Sequence, residues 1–337
     1  MAAARRTTLV DVARHAGVAL GTASNVINGR GGVSTARIAR VQAAIAALGY
    51  VPDGVAQSLR RRTSRVVGLC VPSTSSAYFA ALQDAFEDIA ASQGYELMQV
   101  LSRSNPALEL RRVEAMLSRR VDGMILVPAA APEATFDLIA ASGVPAVVVD
   151  RSFSDRRFDY VTIDDREAMR KATAMLLDHG HRRLLYVVRW PSLVTTKMRI
   201  AGYRSALRAS GATGAVLARA DGDGEFAAQM AAALAGRNRP TAVIASNSPV
   251  ALALLKVLQG MKLAIPQDLS LLVFDEPEWA AVTSPPLAVV RHPIADIART
   301  AWELLIQRMH APRTKRSRVQ FEAVVVGGAS IAPRRLR

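Results

Sequence analysis

"LVDVARHAGVALGTASNVING", residues 9–29, decides how the rest of the chain is read. Counting from Leu9, Ala13 stands fifth, Gly17 ninth and Val26 eighteenth. Two helices that cross over a tight turn need a small residue, a glycine and an apolar contact at those places. Thr8 can cap a first helix over residues 9–16, Gly17 and Val18 turn the chain, and a second helix runs from about Leu20 to Ile27. "NGRGG" then interrupts the pattern. Ser34 is placed to cap a third helix, in which Ile38, Val41, Ile45 and Leu48 recur at helical spacing before Gly49. Pro52 holds the preceding residue extended, and Asp53 can cap one more short helix, "GVAQSLR". Between Leu20 and Asn28 there is no Arg or Lys. If this pair meets a polyanion, the charge must come from elsewhere.

It does. The formal net charge is +15, and residues 1–65 hold ten Arg against only Asp11 and Asp53. Residues 308–337 hold eight Arg or Lys against Glu322, while the 242 residues between carry 25 basic and 25 acidic side chains. A neutral body with basic ends suits one small module that contacts nucleic acid. Arg5, Arg6, Arg14, Arg30, Arg37 and the linker "RRRTSR" (60–65) would attract phosphates and leave the second helix to contact bases.

The composition, half hydrophobic and 21% charged over 337 residues, is globular and sufficient for two or three compact units. A single cysteine, Cys70, excludes an internal disulfide, and no Cys/His spacing suggests a metal site. The first residues lack the apolar segment of a secretory signal, and no run approaches the roughly 20 apolar residues of a membrane span. A cytoplasmic protein without cofactor or metal is expected.

From Arg65 onward, strand and helix alternate. "VVGLCVP", "YELMQVL", "GMILVP", "AVVVD", "RLLYVV", "AVIAS" and "LSLLVF" are short β-branched runs suited to parallel strands buried on both faces. Helical patterns such as 78–93, 108–120, 166–179 and 249–258 lie between them. The pattern predicts an open α/β fold with right-handed crossovers, and its length, about 250 residues, favours two similar lobes.

Residues 7–60 resemble the N-terminal domain of the LacI/GalR family of bacterial transcription regulators. "TLVDVARHAGVALGTASNVING" is similar to its headpiece, "VSTARIARVQAAIAALGYVP" to its third helix and exit, and "DGVAQSL" to its hinge helix. The resemblance continues through "VVGLCVPSTSSAYFAAL", "RVDGMILVP", "GHRRLLYVV", "IPQDLSLLVFDEPEW" and "SPPLAVVRHP". It implies an all-α helix-turn-helix headpiece (1–52), a hinge helix and linker (53–65), and an α/β two-lobed periplasmic-binding-protein-like core with parallel sheets (66–337). One lobe would span about 66–162 and 292–320, the other about 163–291 and 321–337. The implied function is a repressor, a homodimer on a near-palindromic double-stranded operator, controlled allosterically by a small-molecule effector. Whether dimers pair into tetramers is left open.

By the same resemblance, the second helix lies in the major groove with Leu20, Gly21, Thr22, Ser24 and Asn25 as base contacts. Thr8, Asn28, Val33 and Tyr50 complete the headpiece contacts. Ala56, Gln57 and Leu59 belong to the hinge, Leu59 being either a minor-groove wedge or a buried helix residue. Two positions depart from the family: Ala19 replaces the usual Ser and Asn25 the usual Arg. Asn pairs with adenine N7 and N6, whereas Arg reads guanine, so a changed base preference is expected.

Ligands of such sheets sit beyond the strand C-termini. Tyr78, Phe79, Asp150, Asn247 and Asp275 follow strands, and the resemblance adds Arg199 and His292 as effector contacts. Asp150 and Asp164 also fit helix capping, and Tyr78 and Phe79 fit a core. Trp190 and Trp279 are read as packing residues, and His179 and His181 as closing a helix C-terminus. After Asp221, where relatives place an aromatic over the ligand, stands Gly222, which favours a sugar or sugar acid over a flat purine. An exported binding protein would not use residues 1–65. An enzyme finds no support either, since G-x-G-x-x-G, P-loop and G-x-S-x-G motifs are all missing.

Overall fold

The computed structural model describes residues 7–29, 31–50 and 63–334, in two compact units divided between Ser64 and Arg65. The expected hinge residues Ala56, Gln57 and Leu59, with Arg5, Arg6 and Arg30, lie outside the described residues.

Among the described residues the first unit holds three helices: α1 (Leu9–His15), α2 (Leu20–Ile27) and α3 (Thr35–Leu48). Thr8 caps α1 reciprocally: its hydroxyl accepts from the Asp11 amide, and the Asp11 carboxylate accepts from the Thr8 amide at 2.9 Å. Gly17, at φ +61°, takes the left-handed turn that a side chain would resist. Val12, Ala13, Ala16, Ala23, Val41 and Ala44 form the buried centre, with Leu9, Val18, Val26, Ile45, Leu48 and Tyr50 packed around them. A core this small depends on each contact, and the alanines at 13, 16 and 23 are what let the helices approach. Ala19 precedes α2 and makes no side-chain cap, nor does Ser34 before α3.

The second unit contains two six-stranded sheets of matching order. The first comprises β1 (Val66–Val71), β2 (Glu96–Leu101), β3 (Gly123–Leu126), β4 (Ala146–Val149), β5 (Asp159–Ile163) and β11 (Arg318–Phe321), ordered β11-β5-β4-β3-β1-β2. The second comprises β6 (Arg183–Val188), β7 (Thr213–Ala218), β8 (Ala242–Ala245), β9 (Ser270–Val273), β10 (Ala288–Arg291) and β12 (Val324–Val326), ordered β12-β10-β9-β8-β6-β7. All pairings are parallel except β10 with β12, which is antiparallel. β1, β3, β4, β6, β8 and β9 are buried almost throughout, as their uninterrupted apolar runs require.

Helices cover the sheets: α4 (Ala77–Ser92), α5 (Pro106–Ser118) and α6 (Glu133–Ser142) accompany the first, and α7 (Asp165–Asp178), α8 (Val194–Ser210), α9 (Asp223–Ala233) and α10 (Ser248–Gly260) the second. The helix α11 (Ile294–His310) follows β10 yet packs on α4, β3, β4 and β5. The chain therefore changes lobe three times: after β5, after β10, and between β11 and β12. Arg308 of α11 fixes one of these returns with a buried two-pronged pair to Asp159, at 3.0 and 2.9 Å. Among the described residues no helix is long and apolar enough to cross a membrane.

Candidate functional site

In the first unit α2 presents an uncharged surface. Leu20 is 46% exposed and Gly21 exposed, while Thr22, Ser24, Asn25 and Asn28 are half-buried. Asn28 is partly committed, since its Nδ2 donates to the Ser24 carbonyl at 2.7 Å. Arg14, Arg37 and Arg40 are exposed around this surface. The first turns of α2 and α3 contain no acid and no side-chain cap, although the Thr22 and Arg37 amides already donate to the Ala19 and Ser34 carbonyls at 2.9 Å. Thr8 is occupied with its own capping box, Val33 is half-buried, and Tyr50 packs on the headpiece core with part of its ring still accessible.

In the second unit a cleft of about 370 Å³ opens where the C-terminal ends of the two sheets face each other. Every segment that lines it follows a strand, or opens the helix after one, as the parallel topology dictates. Asp150 follows β4, Ser246 and Asn247 follow β8, and Asp275 follows β9. Arg199, from α8, crosses the floor with its guanidinium carbon 3.8 Å from the Phe274 ring centre. Its Nε donates to Asp165 at 2.6 Å and its Nη1 to the Ser246 carbonyl at 3.2 Å.

Burial governs the electrostatics here. It pushes the Asp275 carboxyl up to about 7, against the opposing pull of the Ser248 amide and Arg199. Burial likewise raises Asp165 to about 6 and raises Asp150, with Arg199 and Arg151 holding them down. Asp275 accepts from the Ser248 amide at 2.9 Å, and the Ser248 hydroxyl accepts from the Ala77 amide at 3.1 Å. Because Ala77 opens α4 of the first lobe and Ser248 opens α10 of the second, this short relay ties the lobes together across the cleft.

Tyr78, Phe79, Asp150, Arg199, Asn247 and Asp275 of the expected effector contacts line this cleft together. Asn247 does so while its Oδ1 caps α10 on the Val250 amide. His292 stands behind the wall instead. It is 7% exposed, its ring tilted against Tyr78 at 4.5 Å and edge-on to Phe274 at 5.6 Å between centroids. Burial, and secondarily Arg199, lower its pKa to about 3, so its 3.7 Å approach to Asp275 is no ion pair at neutral pH.

Several residues at the site were not anticipated. Trp190, read as packing, lines the cleft with 37% of its surface exposed and the Arg189 guanidinium 4.7 Å from its ring. Arg151 is buried beside Asp150 and donates to the Pro128 carbonyl. Asp165 carries the ion pair to Arg199, whereas its neighbour Asp164 caps α7 on the Glu167 amide. The doublet Asp164–Asp165 after "VTI" was the available signal. Trp279 packs on the second lobe's core as expected. His179 closes α7, but His181 is buried against the Thr241 hydroxyl at 2.9 Å.

A family model of bacterial regulatory proteins, lacI family, matches residues 8–53, and one of a periplasmic binding protein-like domain matches residues 173–331. Catabolite control protein A of Priestia megaterium is 30% identical over 93% of this chain and 96% of its own. The chain belongs to the lacI family of bacterial regulatory proteins. The ribose operon repressor of Escherichia coli (strain K12) is 28% identical to this LacI-family regulator over 95% of this chain and 98% of its own. A crystal structure of the lac repressor dimer bound to operator and an anti-inducer shares the fold, with a TM-score of 0.83 at 23% identity over 97% of this chain and 100% of the other. The helix-turn-helix headpiece and the two-lobed α/β core are thus the architecture of a DNA-binding transcriptional regulator.

Proposed function

We propose that this LacI-family regulator is a homodimeric repressor whose grip on a near-palindromic operator is set by a small polyol, a sugar or sugar acid, held in the core cleft. The observation that carries the reading is the set of Asp150, Asp275 and Arg199 buried at the strand ends of facing lobes. Carboxylates accept from vicinal hydroxyls, a guanidinium donates to ring or carbonyl oxygens, and neither side chain tolerates burial without such partners. A relative that bears the name of a ribose operon supports the sugar class.

On the DNA side, the second helix reads bases through Leu20, Gly21, Thr22, Ser24 and Asn25, with Asn28 at its end, and Thr8, Val33 and Tyr50 flank it. Hinge residues Ala56, Gln57 and Leu59 pair with those of the partner at the operator centre. Effector binding changes the angle between lobes, and the two binding events bias each other reciprocally. The protein so read acts in the cytoplasm and performs no catalysis.

Genome-wide mapping of bound sites, followed by fluorescence anisotropy on the recovered operator with a sugar panel, tests this reading. Affinity for the operator should change at least tenfold with one sugar class, and the direction identifies inducer or corepressor. An operator affinity indifferent to every polyol, in a protein whose cleft binds none, refutes the effector assignment.

A further inference from the structure

The cleft has unlike ends. All three lobe crossings leave from strands on the β5 and β10 side of the sheets, so this side is the hinge end and the β2 and β7 side is the mouth. Asp150 and Asp275 follow β4 and β9, next to the hinge end. Arg103 and Ser104 follow β2, and Arg189 follows β6, towards the mouth. Within the cleft the deep charges are matched: Arg199 pairs with Asp165, and Arg151 stands 3.5 Å from Asp150. Those at the mouth are not. Arg103 makes no hydrogen bond or ion pair among the described residues, and Arg189 has only the solvent-exposed Asp221 at 3.9 Å and the face of Trp190 at 4.7 Å.

A second observation concerns unsatisfied groups. Among the residues lining the cleft, the buried side-chain atoms left without a hydrogen-bond partner are Ser104 Oγ, Ser246 Oγ and Arg189 Nε, together with Arg151 Nε, which has only its 3.5 Å ion pair to Asp150. Each can donate, although the two serine hydroxyls can also accept, and none is a carboxylate oxygen. A buried donor without a partner is costly, so this lining is complementary to a ligand rich in acceptors. Arg103 and Ser104, both lining the cleft, also hold left-handed backbones, at φ +51° and +53°, a conformation non-glycine residues adopt at a cost.

We infer that the effector is an anionic polyol, whose hydroxyl-bearing end lies between Asp150 and Asp275 and whose single acidic group, carboxylate or phosphate, is held at the mouth by Arg103 and Ser104 from one lobe and Arg189 from the other. This rests on the cleft being a polyol site. An anion placed between arginines of opposite lobes replaces their mutual repulsion with two attractions, so the acidic group itself favours the closed cleft. The neutral parent sugar would satisfy the hinge end and leave the mouth open.

The test is thermal shift and calorimetry on the full-length protein with matched sets of pentoses and hexoses: each neutral sugar, its aldonic and uronic acids, and its terminal phosphate. One acidic member should bind at least tenfold more tightly than its neutral parent, and the carboxylate and phosphate arms distinguish the two sources of charge. R103Q/R189Q should cut that preference at least tenfold, while R103K/R189K retains part of it. Circular dichroism of each variant checks that it folds. A neutral sugar that binds as tightly as its acid, with R103Q/R189Q altering neither, overturns the anionic assignment and leaves the polyol site standing. Binding of no member overturns both readings.

Discussion

Replacing Arg199 by methionine should destabilise the core in a way that depends on pH. Arg199 is the counter-charge of Asp165, both nearly buried, with Nε 2.6 Å from the carboxylate. Asp165 nevertheless titrates at about 6, because burial outweighs the pairing. An unfolded aspartate titrates at about 3.9, so the folded form is penalised above that value, fully so above about 6 and not at all well below 4. Without Arg199 the folded pKa rises further, yet the carboxylate can escape by taking a proton. For Asp165 the extra cost at about pH 7.5 is therefore capped near 1.36 kcal/mol for each of about 1.5 pH units, or about 2 kcal/mol, and the loss of Arg199's pull on Asp150 and Asp275 adds to it in the same direction. Near pH 5 the group is already mostly protonated in both proteins, and the extra cost falls close to zero. The lost bond to the Ser246 carbonyl adds about 1 kcal/mol at either pH. R199M should thus lose at least about 3 kcal/mol at pH 7.5 and about 1 kcal/mol at pH 5, measured by urea unfolding of the full-length protein. An equal loss of 3–5 kcal/mol at both values, the usual result of breaking a buried pair without proton relief, would refute the reasoning.

Asn25→Arg should move the preferred operator base from adenine to guanine at one position per half-site, with about 1–3 kcal/mol of discrimination, read by binding-site selection. Thr8→Ala removes both hydroxyl interactions of the α1 cap and should cost the headpiece about 1 kcal/mol, seen in its thermal unfolding. Arg308→Met leaves Asp159, 0% exposed, without its cation and should cost about 3–5 kcal/mol in urea unfolding of the core. Ser248→Ala removes the acceptor of the Ala77 amide and should accelerate hydrogen exchange at that amide in the unliganded protein, with little change in global stability.

What the sequence disclosed depended on how local the determining physics is. The three headpiece helices were legible because glycine turns, caps and 3.6-residue periodicity are local signals. β1, β3, β4, β6, β8 and β9 were legible because strands buried on both faces read as apolar runs. β5, "DYVTI", is just as buried but opens on an aspartate whose partner, Arg308, lies 149 residues away. β7 and β12, at sheet edges, carry a weaker apolar signal because much of their surface faces water. The site followed the same division. Asp150, Asn247 and Asp275 could be located from the strands they follow, whereas Arg151, Asp165 and Trp190 owe their placement to neighbours from distant segments. His292, sought as a contact, is covered by Tyr78 and Phe274, and that burial is a tertiary fact.

The order of the last strands has a consequence for how the gene can be cut. β11 and β12 are separated by only two residues, yet each forms the outer strand of a different sheet. A premature stop codon between α11 and β11 would strip one outer strand from both lobes at once. An experimenter wanting a single lobe must instead rejoin discontinuous segments by circular permutation, because neither lobe exists as one uninterrupted stretch of message.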